Sequence, residues 1–392
     1  MNEVPGGNGI KRILRPLAPT TYLLRNAGKT LPLTGVILLA VMLVAGIVSM
    51  IDSIPFSIRT MYSYSRTMLG ISPRGDPEMT AKVIETVESK SPVPLERVVV
   101  CRASGAQVRS IVGKWPFVVL GLEPNDLRYV LKKLGGTKIV GRLPESGKPE
   151  AIVSEPVARN LNLKIGSTLL GPNTQETYSP KEVKVVGIAK TQEWLMLNDI
   201  DYHRMNHFPP IDNVLVFAKN LNEQEKLDRW AVKAFKGQRA QVFAYYVLDE
   251  QTNEMFSTLF RILNVVIGTL VLVITIMMAM LINIYQAQRI VEYGLLQAIG
   301  YTKRQLLGRA LREVLFVVVF GWILGVGVSY SLLELVKSIL MDPNAYALNP
   351  LEPRAYLYTV PIPFAILLVA STTVYLKFRQ FDPVGVVERR LV

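Results

Sequence analysis

One cysteine, Cys101, and two histidines, His203 and His207, stand in a chain of 392 residues. A lone thiol excludes an intrachain disulfide and any Cys-based metal site. The histidines lie four apart beside Asp199 and Asp201, a spacing that suits a divalent metal on a helix. Pro209-Pro210 shortens any such helix and the glutamate of an HExxH motif is absent, so both are expected to be surface loop residues. With the histidines confined to one loop, no Ser/His/Asp or Cys/His set can be assembled. No GxxxxGK[ST] stretch occurs, and with it go the backbone cradle and lysine that ATP hydrolysis needs. No catalytic residue, cofactor or metal site is therefore expected here, and any energy source lies on another chain. Charge is scarce as well, at 19% of residues against 50% hydrophobic, which points to a membrane protein with a soluble part. The net charge of +13 comes from basic residues flanking apolar runs, which excludes a nucleic-acid-binding face.

What is present is four apolar runs long enough to cross a membrane. Leu33 to Ile51 is a 19-residue stretch without charge, sufficient at ~1.5 Å per residue for most of a ~30 Å hydrocarbon core. It exceeds a usual signal-peptide core and no clear small-x-small cleavage site follows, so it reads as an uncleaved anchor. Ile262 to Ile282 is the second span, interrupted by Asn264 alone, within a helix expected over 252–284 whose outer part is a stalk carrying Glu254 and Arg261. Val314 to Leu333 is the third, where Gly321 and Gly325 give a GxxxG close-packing pattern. Tyr356 to Leu376 is the fourth, with Pro361 and Pro363 bending or delaying its helix. None of the four spans shows a buried charge, which argues against a polar conduit through one subunit. Lys and Arg number five before the first span, five in 289–312 and four after the last, against two in 337–354. That bias places both termini and the 289–312 loop in the cytoplasm.

Between the first two spans lie some two hundred residues of mixed charge. Strands are expected over Arg97 to Ala103, Phe117 to Leu122, Ala151 to Ser154, Glu182 to Ala189, Asn213 to Ala218 and Gln241 to Val247. Helices are expected over Thr80 to Ser89, Asn125 to Leu134, Glu155 to Leu161 and Asn222 to Phe235, capped by Asn125, Ser154 and Asn222. The fold class is thus four transmembrane α-helices with a large α+β extracytoplasmic domain inserted between helices 1 and 2. The divisions are a cytoplasmic tail and interfacial helix (1–32), span one (33–51), the external domain (52–251), stalk and span two (252–284), a cytoplasmic segment (285–312), span three (313–336), an external loop (337–355), span four (356–376) and a tail (377–392). Basic residues from Lys11 to Lys29 mixed with Leu14, Leu17 and Leu23 suit a helix on the inner leaflet.

The stretch from Arg289 to Leu306, RIVEYGLLQAIGYTKRQL, joins spans two and three. Its apolar run is of helical but not lipid-spanning length, so something other than lipid should cover it. Thr302 and Gln305 fit a capping box that starts a new helix after Gly300.

EYGLLQAIGYTKRQL resembles the coupling segment of FtsX/MacB-like ABC transporter permeases, also called type VII. AIVSEPVARNLNLKIGSTL and KVVGI resemble that family's extracytoplasmic domain, and FDPVGVV its closing motif. The resemblance implies that Glu292, Gly294, Leu295, Leu296, Ala298, Ile299 and Gly300 couple to a separate ABC ATPase subunit that binds the ATP. It implies a homodimer or paralogue heterodimer in the cytoplasmic (inner) membrane, with Gly321 and Gly325 in a helix contact within or between subunits. Tyr293 and Gln297 depart from the usual hydrophobe and Arg. Two functions follow: export or release of a lipophilic or extracytoplasmic substrate, or FtsX-like signalling to an external adaptor or cell-wall hydrolase.

Overall fold

The structure, a computed structural model, describes residues 27–74, 76–173, 178–208 and 211–380. The interfacial helix before Ala27 and the FDPVGVV motif lie outside them. In chain order the elements are α1 (Ala27–Met61), β1 (Leu69–Ser72), α2 (Pro77–Lys90), β2 (Leu95–Ser110), β3 (Gly113–Leu122), α3 (Pro124–Lys133), β4 (Ile139–Gly141), β5 (Glu150–Ser154), α4 (Glu155–Leu161), β6 (Thr168–Leu170), β7 (Val183–Ala189), β8 (Met196–Asp199), α5 (Ile200–Met205), β9 (Asp212–Ala218), α6 (Leu221–Ala234) and β10 (Gln241–Phe243). The chain continues as α7 (Tyr245–Gln288), α8 (Ile290–Ala298), α9 (Lys303–Val336), α10 (Pro353–Leu357) and α11 (Pro361–Gln380). They fall into two compact units, one of residues 27–49, 261–333 and 351–380, the other of residues 50–260 and 334–350.

The first unit is helical. Among the described residues four helical segments are long and apolar enough to cross a membrane: Thr30–Met61, Tyr245–Gln288, Lys303–Asn344 and Pro353–Arg379. Gly321 and Gly325 of the third helix face α1 of the same chain. A Cβ on Gly321 would stand 3.1 Å from the Ile37 Cβ, and one on Gly325 only 2.8 Å from the Val41 Cβ. The GxxxG pattern is therefore used inside the subunit, where it lets two backbones close together. Asn264, the polar interruption of the second span, accepts a 2.7 Å hydrogen bond from the Tyr358 hydroxyl. Trp322 Nε1 donates to Thr359 Oγ1 at 3.0 Å. Pro361 starts α11 at its first turn, where a missing N–H is harmless, so the prolines delay the helix.

The second unit is built on a ten-stranded mixed sheet of order β10-β1-β9-β2-β3-β8-β5-β7-β4, with β6 paired to β7. Among the described strand pairs, β3–β8 and β5–β7 run parallel and the others antiparallel. On one face Leu69, Ile71, Val214 and Val216 pack with Val83 and Val87 of α2 and Leu227 and Ala231 of α6. Four short strands, β1, β4, β6 and β8, span only three or four residues each, too few for a period to stand out even in β1, where burial alternates; β8 is buried at all four residues. The strand expected over Gln241 to Val247 stops at Phe243. Its remaining Tyr-Tyr-Val is drawn into α7, a 44-residue helix whose length outweighs the β preference of three residues.

Ser154 stands at the N-cap of α4 as expected, and two other caps differ from expectation. Asn220, not Asn222, caps α6 and accepts from Glu223 N–H; α3 begins at Pro124, so Asn125 lies inside it. Ser154 precedes α4 but its hydroxyl accepts from Leu195 N–H instead, bracing β5. The histidines also differ from expectation. His203 is not a surface residue: it is fully buried on α5, its Nε2 3.0 Å from Asn198 Oδ1. Burial holds its pKa down to about 4. His207 lies exposed past the helix end with φ 56°, and the two do not share a site. Cys101 is buried on β2, and burial, reinforced by Asp212 and Asp126, pushes its thiol up to about 12.

Candidate coupling site

The segment between α7 and α9 folds as a short amphipathic helix held by a charge clasp. Helix α7 ends at Gln288, and Arg289 leaves helical geometry (φ −101°, ψ 2°) before α8 begins. The chain turns again at Gly300, whose φ of +105° suits a residue without Cβ. There the expected capping box forms: Thr302 N–H donates to Gln305 Oε1 at 3.0 Å, and Gln305 N–H to Thr302 Oγ1 at 3.4 Å.

Within α8, residues three and four apart share a face. Leu295, Ala298 and Ile299 form the outward stripe, Leu295 58% and Ile299 76% exposed. Gly294 and Tyr293 are buried, and Leu296 is half-buried. Tyr293 packs on Phe378 of α11 at 5.2 Å and donates to Gln286 Oε1 at 3.1 Å. Tyr293, a departure from the family pattern, thus fastens the inner face of α8 to its neighbours. An exposed pair of large aliphatic residues thus stands beside an anchored face.

Glu292 belongs to the anchor, not to the outward stripe. Its carboxylate, 36% exposed, meets Arg289 Nε at 3.1 Å and Arg309 at 3.6 Å. Glu313 completes the group: it is 1% exposed, accepts from Arg309 Nε at 3.1 Å and also pairs with Arg289. The Arg289 guanidinium, 2% exposed, further stacks over the Tyr293 ring at 4.9 Å and the Tyr285 ring at 5.4 Å. Two arginines and two glutamates alternate, so the cluster is neutral and each charge has a partner, the condition under which such burial is tolerated. Its members lie at the end of α7, on α8 and on α9, so the three helices are tied at one point. The cluster lies just outside the apolar runs 262–282 and 314–333, and Glu313 directly precedes the second of them. The Arg309/Glu313 spacing of four and the Arg289/Glu292 spacing of three were the available signals.

These features define a polytopic helical membrane protein with a mixed α/β domain encoded between its first two long helices and a short amphipathic helix between the second and third. The FtsX-like permease C-terminal family matches residues 264–383, and the MacB-like periplasmic core domain family matches residues 33–242, more than half of the chain. The chain belongs to the FtsX/MacB-like ABC transporter permeases. Among solved structures it is similar to the periplasmic region of MacB from Actinobacillus actinomycetemcomitans, at 12% identity over 50% of this chain and 95% of that one, with a TM-score of 0.28. It is also similar to the extracellular domain of the ABC-type transporter YknZ from Gram-positive bacteria, at 13% identity over 45% and 99% of the two chains, with a TM-score of 0.25.

Proposed function

We propose that this chain is the permease subunit of an ABC transporter complex, transmitting the motion of a separate ATPase through the membrane to an extracytoplasmic domain for export or release of a lipophilic or extracytoplasmic substrate. The observation that carries the reading is α8: an exposed Leu295/Ile299 stripe backed by the Arg289–Glu292–Arg309–Glu313 clasp. The stripe meets the ATPase, and the clasp passes a push on α8 to α7 and α9 without slack. Helix α7, 44 residues and on the order of 66 Å long, exceeds a ~30 Å core, and its excess is the stalk that carries movement outward. The protein lies in the cytoplasmic membrane with both termini inside, pairs with a second copy or a paralogue, binds two ATPase subunits and hydrolyses no ATP itself. Its Gly321/Gly325 contact being internal, pairing uses other surfaces.

Leu295→Asp and Ile299→Asp test the reading directly, because both side chains point away from the fold. Each should insert normally while reducing ATPase co-purification on the order of a hundredfold, the result of placing a charge in an apolar contact worth a few kcal/mol. A full complement of ATPase on both variants would refute it.

A further inference from the structure

On the sheet face opposite α2 and α6, the second unit holds a cavity of about 490 Å³. Its floor is a period-two stripe crossing five adjacent strands: Phe243 of β10, Gly70 of β1, Leu215 and Asn213 of β9, Cys101 and Ala103 of β2, and Val118 and Leu120 of β3. The register explains the hollow. Gly70 sits directly between Phe243 and Leu215, and Ala103 opposite Leu120, so small residues alternate with large ones and leave a trough. Tyr62, Tyr64 and Met68, just after α1, and Leu248, in the first turn of α7, complete the wall. No charged side chain is among the lining residues. The Tyr64 and Ser72 hydroxyls and the Asn213 carboxamide, all neutral, line it and form no side-chain hydrogen bond among the described residues. Burial pushes the Tyr64 phenol up, so it stays a donor.

From this lining we infer that the cavity is a binding site for an uncharged lipophile with one hydrogen-bonding head, of the class of a long-chain acyl ester or monoacylglycerol. The volume lies within the roughly 300–1,000 Å³ of ligand pockets. An apolar trough with a few neutral polar groups accepts a chain and orients its head, while a carboxylate or phosphate head would be buried without a counter-charge. Because the wall includes residues adjoining α1 and the first turn of α7, movement of either helix reshapes the site, so binding and the transport stroke are linked. The inference deepens the transport reading, naming the chemistry of its substrate, and the two can fail independently.

The test uses the full chain in lipid nanodiscs and a 16-carbon monoacylglycerol carrying a terminal diazirine, with cross-linked residues located by peptide mass spectrometry. Labelling is expected on Leu120, Leu215 or Phe243, with unlabelled monoacylglycerol competing better than the fatty acid of equal length at neutral pH. Ala103→Trp, at an exposed position, and Val118→Trp fill the trough from different strands, and each should lower that labelling about tenfold or more. Circular dichroism confirms that the variants fold. Labelling confined to the membrane helices, labelling of both Trp variants at the level of the unsubstituted chain, or equal competition by the fatty acid overturns the inference. ATPase co-purification on the same preparations reports on the transport reading, so retained ATPase with no cavity labelling refutes the site alone.

Discussion

Glu313→Gln is the most informative single change at the clasp. Its carboxylate is 1% exposed and serves both Arg289 and Arg309, which are themselves 2% and 9% exposed. Glutamine keeps the shape but removes the charge that both buried guanidinium groups share with Glu292. Removing one partner of a buried ion pair costs about 3–5 kcal/mol, which corresponds to roughly two to four orders of magnitude in an equilibrium constant. Reversible unfolding in mixed micelles titrated with a denaturing detergent should show that loss, and ATPase co-purification should fall because α8 is no longer held. The double variant Arg289→Met with Glu313→Leu removes one charge of each sign and leaves Glu292 paired with Arg309. It should recover most of the stability, since an apolar pair of similar volume is neutral or better at such sites. The coupling between the two positions should therefore reach at least about 2 kcal/mol in a double-mutant cycle. A single-variant cost below about 1 kcal/mol, or strictly additive effects, would show that the cluster ties nothing together.

Gly325→Ala places a methyl 2.8 Å from Val41 and should destabilise the first unit by about 1–3 kcal/mol, whereas Gly327→Ala meets nothing within 4 Å and should be neutral or mildly stabilising; the same detergent titration reads both. Burial pushes Asp228 of α6 up to about 7, against the amide that Gln224 donates to it. Its folded pKa lies above the ordinary 3.8, so the contribution is full below pH ~4 and is lost as pH rises through 7, by at most about 4 kcal/mol. Trp230 fluorescence during urea unfolding should show that slope, and Asp228→Asn should remove it. His203 has the opposite sign, with a folded pKa of about 4 below the ordinary 6.5, so stability falls as pH drops from 6.5 to 4, by at most about 3 kcal/mol. His203→Gln should flatten this acid limb of the stability curve. Cys101 should react with a membrane-impermeant maleimide from outside, and only after urea loosens the domain, because burial holds the thiol up to about 12. Labelling that requires opening the cytoplasmic face would reverse the topology.

Composition and local pattern were enough to mark the spans, the break at Gly300 and the capping box at Thr302, because these depend on neighbours within four residues and on the length of an apolar run. The long strands were legible for the same reason, while β1 and β8 were not, since three or four residues are too few for a period to stand out and become strands only between partners supplied by distant chain. Residue type also marked the apolar run of α8, but not which of its members face outward. Tertiary packing decided that: Tyr293 is held by Phe378, eighty-five positions on, and Glu292 is turned into a cluster whose fourth member, Glu313, lies twenty-one positions away. Burial of His203 and the hollow above Gly70 and Ala103 were likewise set by strand register, which pairs residues far apart in sequence. A side chain's partners fix its charge state and its reach, and those partners exist only once the chain has closed on itself.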